Sequence, residues 1–391
     1  MAGNESEGAG VEEPKFRVVD TRRRFLSWFV PPAGVFVLGF AALLFAGHVT
    51  GPLQHITVVR AMIASKRDFF ADEQVKRILL SHGYQVQVTP AGSFELAETA
   101  DLDSYQFVFP SGQAAGDRVY ERRGTKHASG YKPFFTPLVL ATFRDYAEAL
   151  VKAGVARPQS AGNQPLYYRL ETKPLVEHMS AGDRWQNYNP RLSGNRLLVQ
   201  SPDPCRSYSG AAYVGLVAYA TYGHPAATEA EADEQARGIK PMLDAEGQHS
   251  DDMAPKFFVP EGRSFATVAV IYEHQYLAYQ NRRLANGLGL DTDRVLLYPS
   301  AQHETAPDLI SFSPEGDAIG SLLMTDPALR RRAVELGFHV YSADTAQFDF
   351  AGYLAERHIP EPATANTDDE TWLPKDAPFR RMIDAVGDCR W

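Results

Sequence analysis

The chain has few cysteines and no excess of basic charge, and each shortage excludes a class of protein. Two cysteines in 391 residues are too few for a disulfide-scaffold domain or for a zinc cluster built mainly from thiolates. The formal net charge is -9 at pH 7. Proteins that bind the phosphate backbone of nucleic acids carry basic patches, so no nucleic-acid partner is expected. Hydrophobic residues make up 44% of the chain, which is enough to bury the core of one large domain or two medium ones.

One long segment lacks charge altogether. Residues 25–47, FLSWFVPPAGVFVLGFAALLFAG, are uncharged, and at about 1.5 Å per residue such a helix can cross a hydrocarbon core of about 30 Å. Pro31-Pro32 would break a soluble helix interior, but in a membrane it can start or kink the helix. The segment is therefore predicted to be a transmembrane helix. A cleaved signal peptide and a buried core helix are the alternatives.

Basic residues predict the orientation of this helix. Arg22-Arg23-Arg24 directly precede it, whereas the first charged residue after it is Arg60. The positive-inside rule then places residues 1–24 in the cytoplasm and everything after about His48 outside it, as a single-pass protein of the cell membrane. That compartment permits a disulfide between Cys205 and Cys389, although the sequence gives no distance between them.

The remainder of the chain alternates predicted strands and helices. HITVVRAMIAS predicts a strand, and DFFADEQVKRILLSHGY predicts a helix that ends at His82-Gly83. QVQVTPAGS and YQFVFPSGQ continue a βαβαβ pattern, which predicts a parallel sheet. A second α/β unit runs from NRLLVQSPDPCRSYSGAAYVGLVAYATYG through FATVAVIYEHQYLAY to DRVLLYPS. The predicted fold class is α/β.

Small polar residues occupy the loops between these predicted strands and helices. In open α/β sheets, ligands bind at the carboxyl ends of strands, where helix N-termini offer free N–H groups. Capping of a helix is the alternative role for a single serine. Because the loops belong to two different units, we expect them to face each other across a cleft. The candidate ligand-binding residues are Ser65, Lys66, Ser93, Ser111, Ser207 and Ser209.

Four short motifs that suggest an enzyme or a metal site lack the context they require. GRSFA at 262–266 resembles a nucleophile elbow, but a strand rather than a helix is predicted after the serine. GLGL at 287–290 lacks the third glycine of a dinucleotide loop. QHSDD at 248–252 has no second histidine at ligand spacing, and in YEHQY at 272–276 the glutamate and histidine are adjacent rather than on one helical face. We therefore expect no catalytic activity, no metal site and no cofactor.

The order of the units resembles the type 2 periplasmic-binding-protein superfamily, the extracellular solute-binding proteins of bacterial importers. The resemblance covers roughly residues 54–345 and implies two lobes with a cleft between them, joined by crossover strands near 134–142 and 301–313, with hinge closure over a ligand. It is carried by SKRDFFADEQVKRILLSHGYQVQV, AGSFELA, FPSGQ, FFTPLVLATF, SPDPCRSYSGAAYVGL, VAVIYEHQY and GSLLMTDPALRRRAVELGF.

The resemblance also implies a division of the chain and a function. Lobe 1 would comprise 54–142 and 303–391, and lobe 2 would comprise 143–302. The implied function is capture of a small polar solute, with an anion as one candidate, for an ABC-type importer or as a sensor, with a membrane permease or a signalling protein as partner. Family members are usually released or lipid-anchored, whereas this chain is predicted to keep a spanning helix. Two other hypotheses of function therefore remain: a membrane-tethered interaction module with a vestigial cleft, and an extracytoplasmic hydrolase. The implied contacts are Ser65, Ser93 and Ser111 from lobe 1, and Ser207, Ser209 and Tyr272 or Glu273 from lobe 2.

Overall fold

The computed structural model describes residues 36, 38, 39, 56–160, 164–249, 252–341, 350–363 and 372–389. The predicted cytoplasmic segment 1–24 lies outside the described residues. The predicted transmembrane segment 25–47 does so as well, apart from Phe36, Leu38 and Gly39, which are helical. In the described part of the chain, no helix combines the length and the apolar character that crossing a bilayer requires.

Strands and helices alternate along the described chain, which confirms the predicted α/β class. The strands are β1 Thr57–Ile63, β2 Tyr84–Pro90, β3 Phe107–Phe109, β4 Ser129–Tyr131, β5 Phe134–Phe143, β6 Ala156–Pro158, β7 Tyr167–Leu170, β8 Ser201–Pro202, β9 Gln248–His249, β10 Val268–Tyr272, β11 Arg294–Pro299, β12 Glu304–Thr305, β13 Leu309–Ser311 and β14 His339–Val340. The helices are α1 Arg67–Ala71, α2 Glu73–Ser81, α3 Ser93–Glu98, α4 Gln113–Arg123, α5 Arg144–Lys152, α6 Thr172–Ser180, α7 Tyr208–Tyr222, α8 Glu229–Glu246, α9 Ala254–Phe257, α10 Gly262–Phe265, α11 Glu273–Ala285, α12 Pro314–Thr325, α13 Pro327–Glu335, α14 Phe350–Glu356 and α15 Asp376–Gly387.

The first lobe is built on a five-stranded sheet with the order β2-β1-β3-β13-β4. β1 pairs in parallel with β2 and with β3, as the βαβαβ pattern predicts. β13 returns between β3 and β4 and is antiparallel to both. Phe69 and Phe70 of α1 and Val75 of α2 pack with strand residues such as Phe107 in one apolar cluster. This packing holds the loops after β1 and β3 side by side at one edge of the sheet.

The second lobe is built on a sheet that contains the path β10-β5-β11-β7-β6. β5 is buried along nearly its whole length and runs antiparallel to β10 and β11. Helix α7 packs on β10 and on helices α6, α8 and α15. It is apolar on nearly every side, as a helix enclosed by protein is expected to be, and its alanines and glycines allow its neighbours to approach closely.

β5 also links the two lobes. Its first residues pair with β14 and with β12, and its later residues pair with β10 and β11 of the second sheet. The chain returns to the first lobe from β11 through β12 to β13. These two passages lie where the resemblance places the crossovers, near 134–142 and 301–313.

The C-terminal helix corrects the predicted division of the chain, which assigned 303–391 to lobe 1. α15 packs on α7 and α8 of the second lobe. It carries an apolar stripe at helical spacing, Phe379, Met382, Ile383 and Val386, and this stripe joins the core of that lobe. The predicted disulfide is confirmed, since Cys389 is bonded to Cys205 with a Cα–Cα distance of 5.4 Å. The tail belongs to the second lobe because both its apolar face and its cysteine find their partners there.

Candidate ligand site between the lobes

Serines from separate loops of the first lobe form one connected cluster. Ser65 follows β1, Ser111 follows β3, and Ser93 begins the helix after β2. Ser65 Oγ lies 2.6 Å from Ser111 Oγ, and the Ser65 N–H donates to the same oxygen at 2.9 Å. The Ser111 N–H donates to Ser93 Oγ at 3.2 Å. Neighbouring parallel strands therefore bring the predicted serines of this lobe together at their carboxyl ends.

Lys66 is completely buried beside this cluster. Its Nζ donates to Ser65 Oγ at 3.2 Å and lies 4.3 Å from the centre of the Tyr272 ring. Burial lowers the pKa of Lys66 to about 7, against the opposing pull of Asp252 and Asp68. No carboxylate among the described residues forms an ion pair with it. A buried ammonium without a carboxylate is costly, so this position favours the approach of an anion.

The second lobe brings hydroxyl groups to the same place. Ser207 Oγ lies 2.9 Å from Ser209 Oγ at the start of α7, and Tyr272 ends β10. The hydroxyl of Tyr272 has those of Ser209, Thr305 and Ser65 as polar neighbours, yet none of them meets the geometry of a hydrogen bond to it. Burial raises the pKa of Tyr272, so the phenol keeps its proton. Side chains from both lobes thus meet at one hydroxyl group.

The capping alternative does not account for these serines. Ser207 precedes α7, but its side chain makes no capping hydrogen bond. Ser93 is the first residue of α3, where Gly92 holds the capping position. The hydroxyls of Ser207 and Ser65 instead bond to other serine hydroxyls, which can turn toward a ligand at little cost.

Polar atoms around this point are buried without a hydrogen-bond partner. They are Tyr272 Oη, Thr305 Oγ1 and His274 Nε2. The other ring nitrogen of His274, Nδ1, shares a hydrogen bond of 3.2 Å with Thr136 Oγ1. Burial lowers the pKa of the His274 ring, so the ring is neutral. Buried polar atoms are normally bonded, and an unsatisfied one costs about 1–3 kcal/mol. Tyr272 Oη and Thr305 Oγ1 are neighbours where the lobes meet, so a polar ligand at this point would find hydroxyl groups that the protein leaves without a partner.

Glu273 does not join this cluster, although it is adjacent to Tyr272 in the chain. Its carboxylate accepts a hydrogen bond from Tyr298 Oη at 2.6 Å and lies 2.6 Å from His339 Nε2. His339 belongs to β14, which pairs with β5. Both carboxylate oxygens are therefore engaged in holding the region where the lobes join. Of the two residues that the resemblance offered, Tyr272 is the one that reaches the cluster.

Sequence reasoning did not single out Thr305, and it considered His274 only as part of a possible metal motif that it rejected. Thr305 reaches the cluster because β12 pairs antiparallel with β5, which places it opposite Thr136. This pairing joins residues far apart in the chain, so no local pattern reveals it. A threonine within a predicted crossover segment is the one signal that could have drawn attention to it.

The lobes touch closely around the cluster. A Cβ atom built on Gly112 would lie 2.2 Å from the ring of Tyr208, and one built on Gly92 would lie 2.5 Å from the carbonyl oxygen of Arg206. Gly112 has φ of -154° and Gly92 has φ of -67°, which any residue adopts. Glycine is therefore required at these positions by the lack of space between the lobes, which are closed over the cluster.

No protein-family model and no curated protein matches this sequence. Solved structures do match it: apo ferric ion-binding protein A from Pasteurella haemolytica is 10% identical, with 85% of this chain and 96% of that chain covered at a TM-score of 0.50. The chain has the type 2 periplasmic-binding-protein fold. The periplasmic binding protein AfuA from Actinobacillus pleuropneumoniae is 12% identical, with coverage of 85% and 95% and a TM-score of 0.45. The periplasmic molybdate-binding protein of Azotobacter vinelandii is 13% identical, with coverage of 73% and 100% and a TM-score of 0.42. At these identities the similarity concerns the fold, and the ligand has to be argued from the site.

Proposed function

We propose that this protein is a solute-binding protein that captures a small anion between its two lobes. The observation that carries the proposal is Lys66, a fully buried lysine that donates to the Ser65 hydroxyl of the first lobe and lies over the Tyr272 ring of the second. The two-lobed fold supports it, because closure of such lobes encloses a solute in a cleft. The proposal assigns the protein no catalytic role.

The charge and the donors of the site favour an anion over a neutral solute or a cation. Lys66 supplies a positive charge, and serine hydroxyls can all donate to the same acceptor. Helix α7 is 15 residues long and begins at the Ser207 and Ser209 hydroxyls. The Ser207 side chain does not cap the N–H groups at this end of the helix. The positive end of a helix dipole favours an anion there. Asp252 opposes this preference only in part, since its carboxylate accepts hydrogen bonds from the amide of Gln275 and the Ala254 N–H.

A thermal-shift screen of oxyanions tests the proposal. A ligand present at about 100 times its dissociation constant should stabilise the protein by about 2.7 kcal/mol. Replacement of Ser207 and Ser209 by alanine together should remove most of this stabilisation, while the unliganded protein should change by only about 1 kcal/mol. Ser313→Ala is the matched control, because Ser313 caps helix α12 beyond the opposite end of the first sheet.

Three outcomes distinguish the anion-binding protein from the membrane-tethered interaction module and the hydrolase. Full ligand response in the double variant would remove these serines from the site. Absence of any anionic binder for a well-folded protein would leave the membrane-tethered interaction module as the better reading. An acylating probe that labels Ser65 would favour the hydrolase, because a lysine of lowered pKa next to a serine hydroxyl can also activate that serine.

We also propose that the protein is held in the cell membrane by residues 25–47, where it serves an importer or a sensor. The uncharged segment and the preceding arginines support this. A reporter that is active only outside the cytoplasm should be active when fused after Trp391, and the protein should remain in the membrane fraction after a carbonate wash. Release of a shortened soluble form would show that the segment is a cleaved signal peptide.

A further inference from the structure

The C-terminal segment at 372–389, which we call the C-terminal brace, is attached at both of its ends. Trp372 at its start is buried, and its Nε1 donates to the Gln302 carbonyl oxygen at 2.7 Å. Cys389 at its end is bonded to Cys205. Helix α15 between these ends packs its apolar stripe into the core of the second lobe. The brace therefore has two anchors with a helix held between them.

Both anchors lie close in the chain to hydroxyl groups of the ligand site. Thr305 follows Gln302 by three positions, and Ser207 follows Cys205 by two. The second of these connections is a compact turn, because the N–H groups of Cys205 and Ser207 both donate to Asp203, at 2.8 and 2.9 Å. Such a turn moves as a unit, so the position of Cys205 determines that of Ser207.

Aromatic rings of the brace cover a contact between helix α7 and the passage to the first lobe. The Tyr208 hydroxyl of α7 lies 3.0 Å from His303 Nε2 of the passage. The ring of Trp372 packs edge-on against His303 with a centroid distance of 5.4 Å, and the ring of Phe379 packs edge-on against Tyr208 at 6.4 Å. The brace therefore contacts both chain segments that bring hydroxyl groups to the site.

The turn fixed by Cys205 is also where the second lobe touches the first. A Cβ atom built on Gly92 would lie 2.5 Å from the carbonyl oxygen of Arg206, and one built on Gly112 would lie 2.2 Å from the ring of Tyr208. Contacts as close as these depend on the position of the turn. The disulfide therefore acts on the contact between the lobes as well as on the serines.

We propose that the C-terminal brace positions Ser207, Ser209 and Thr305 for the ligand, with the disulfide of Cys205 and the hydrogen bond of Trp372 as its two anchors. This inference rests on the proposed function, because it concerns how the same site is held in place. The brace itself supplies no donor to the cluster. It acts by ordering the hydroxyl groups before the ligand arrives, and such preorganisation raises affinity.

Hydrogen exchange of the unliganded full-length protein tests the brace without any ligand. In Cys205→Ser combined with Cys389→Ser, peptides covering 203–209 should exchange at least about tenfold faster, because the turn has lost its anchor. Peptides covering 92–95 and 111–113 of the first lobe should also exchange faster, because both lie against that turn. A disulfide that only stabilised the second lobe would leave the first-lobe peptides unchanged.

Reduction of the folded wild-type protein with a dithiol gives a second route to the same state. The reagent opens the bond between Cys205 and Cys389 after folding is complete. The exchange pattern should match that of the double cysteine variant. This measurement decides the question even if that variant does not fold.

Trp372→Phe tests the other anchor. The substitution keeps an aromatic ring and removes the N–H group that donates to the Gln302 carbonyl oxygen. Exchange should rise in the same peptides of both lobes. Loss of both anchors together should have a smaller effect than the sum of the two separate losses, because a brace that is already released at one end transmits little from the other.

Titration calorimetry with inorganic phosphate and with sulfate measures the consequence for binding. Affinity for the anion that the wild type binds should fall about tenfold in the double cysteine variant, since binding then has to order the serine hydroxyls. Arg381→Ala is the matched control on α15. Arg381 pairs with Asp233 at 2.7 Å on the surface, and such a pair contributes little, so exchange and affinity should stay unchanged.

The outcomes separate the inference from the proposed function. Unchanged exchange at 92–95 and 111–113 in the variants and in the reduced protein would overturn the inference, and so would additive effects of the two anchors. Faster exchange with unchanged affinity would overturn the positioning role as well. If the wild type bound no anion at all, the proposed function would fail, while the exchange pattern would still decide whether the brace orders the turn.

Discussion

Lys66→Met should abolish binding of the anion and at the same time make the unliganded protein more stable at pH 6. The lysine is fully buried and has no ion pair among the described residues. An apolar side chain of similar volume removes the desolvation penalty of the buried charge, which is on the order of several kcal/mol per ion. Chemical denaturation measures the stability, and thermal shift with the ligand measures the binding. A residue with a purely structural role would show the opposite sign in the first measurement.

The pH dependence of the stability gives a second readout of the same variant. The pKa of Lys66 is lowered from 10.5 to about 7 in the folded protein. Below pH 7 the lysine is charged in both the folded and the unfolded state, so the folded state carries the full cost of burial. Between pH 7 and pH 10.5 the folded state releases its proton first, and this cost is progressively relieved.

The wild-type protein should therefore gain stability relative to Lys66→Met as the pH rises from 7 to 10.5. The difference between the two should be constant below about pH 6. Lys152→Met, an exposed substitution on α5, should show neither effect. A Lys66→Met protein that is less stable at pH 6, or that still responds to the anion, would contradict the assignment of this lysine.

Gly112→Ala should lower the affinity for the ligand by about tenfold to a hundredfold, because overpacking of a close contact costs about 1–3 kcal/mol. The new Cβ would lie 2.2 Å from the ring of Tyr208 on the other lobe. The extended backbone of Gly112, with φ of -154°, accepts alanine without strain. The substitution therefore acts on the closed arrangement of the lobes and leaves each lobe able to fold.

Calorimetry measures this affinity, and small-angle scattering with ligand reports whether the lobes close. The matched control is Gly116→Ala in helix α4, which Gly112 directly precedes. The nearest heavy atom to a new Cβ on Gly116 is Ile310 Cδ1 at 3.7 Å, an ordinary contact. Gly116→Ala should bind as tightly as the wild type. Wild-type affinity in Gly112→Ala would mean that the contact between Gly112 and Tyr208 is not needed for binding.

Local patterns were sufficient to predict the parallel part of the first lobe. The alternation of β1, α2 and β2 follows from apolar periodicity within short windows. The parallel pairing then brings Ser65 and Ser111 together, because both follow strands that run in the same direction. The serine loops were therefore predictable as a group, since their position depends on the order of the units and not on any distant contact.

Long-range contacts set the limit of sequence reasoning. The apolar stripe from Phe379 to Val386 shows that α15 is buried on one face, but a stripe does not indicate which lobe covers it. The choice between Tyr272 and Glu273 was equally open, because the strand ends at one and the helix begins at the other. Their different roles follow from Tyr298 and His339, which hold the Glu273 carboxylate and come from distant parts of the chain.

The bond between Cys205 and Cys389 has a consequence for how the protein is made. The two residues are 184 positions apart, so at a synthesis rate of about 5–20 residues per second the first thiol waits roughly 10–40 s before its partner exists. The sequence contains two cysteines, so this thiol has no wrong partner in its own chain, and exchange can join it only to another molecule. Errors of oxidation should therefore accumulate as covalently linked pairs of chains rather than as monomers with shuffled disulfides.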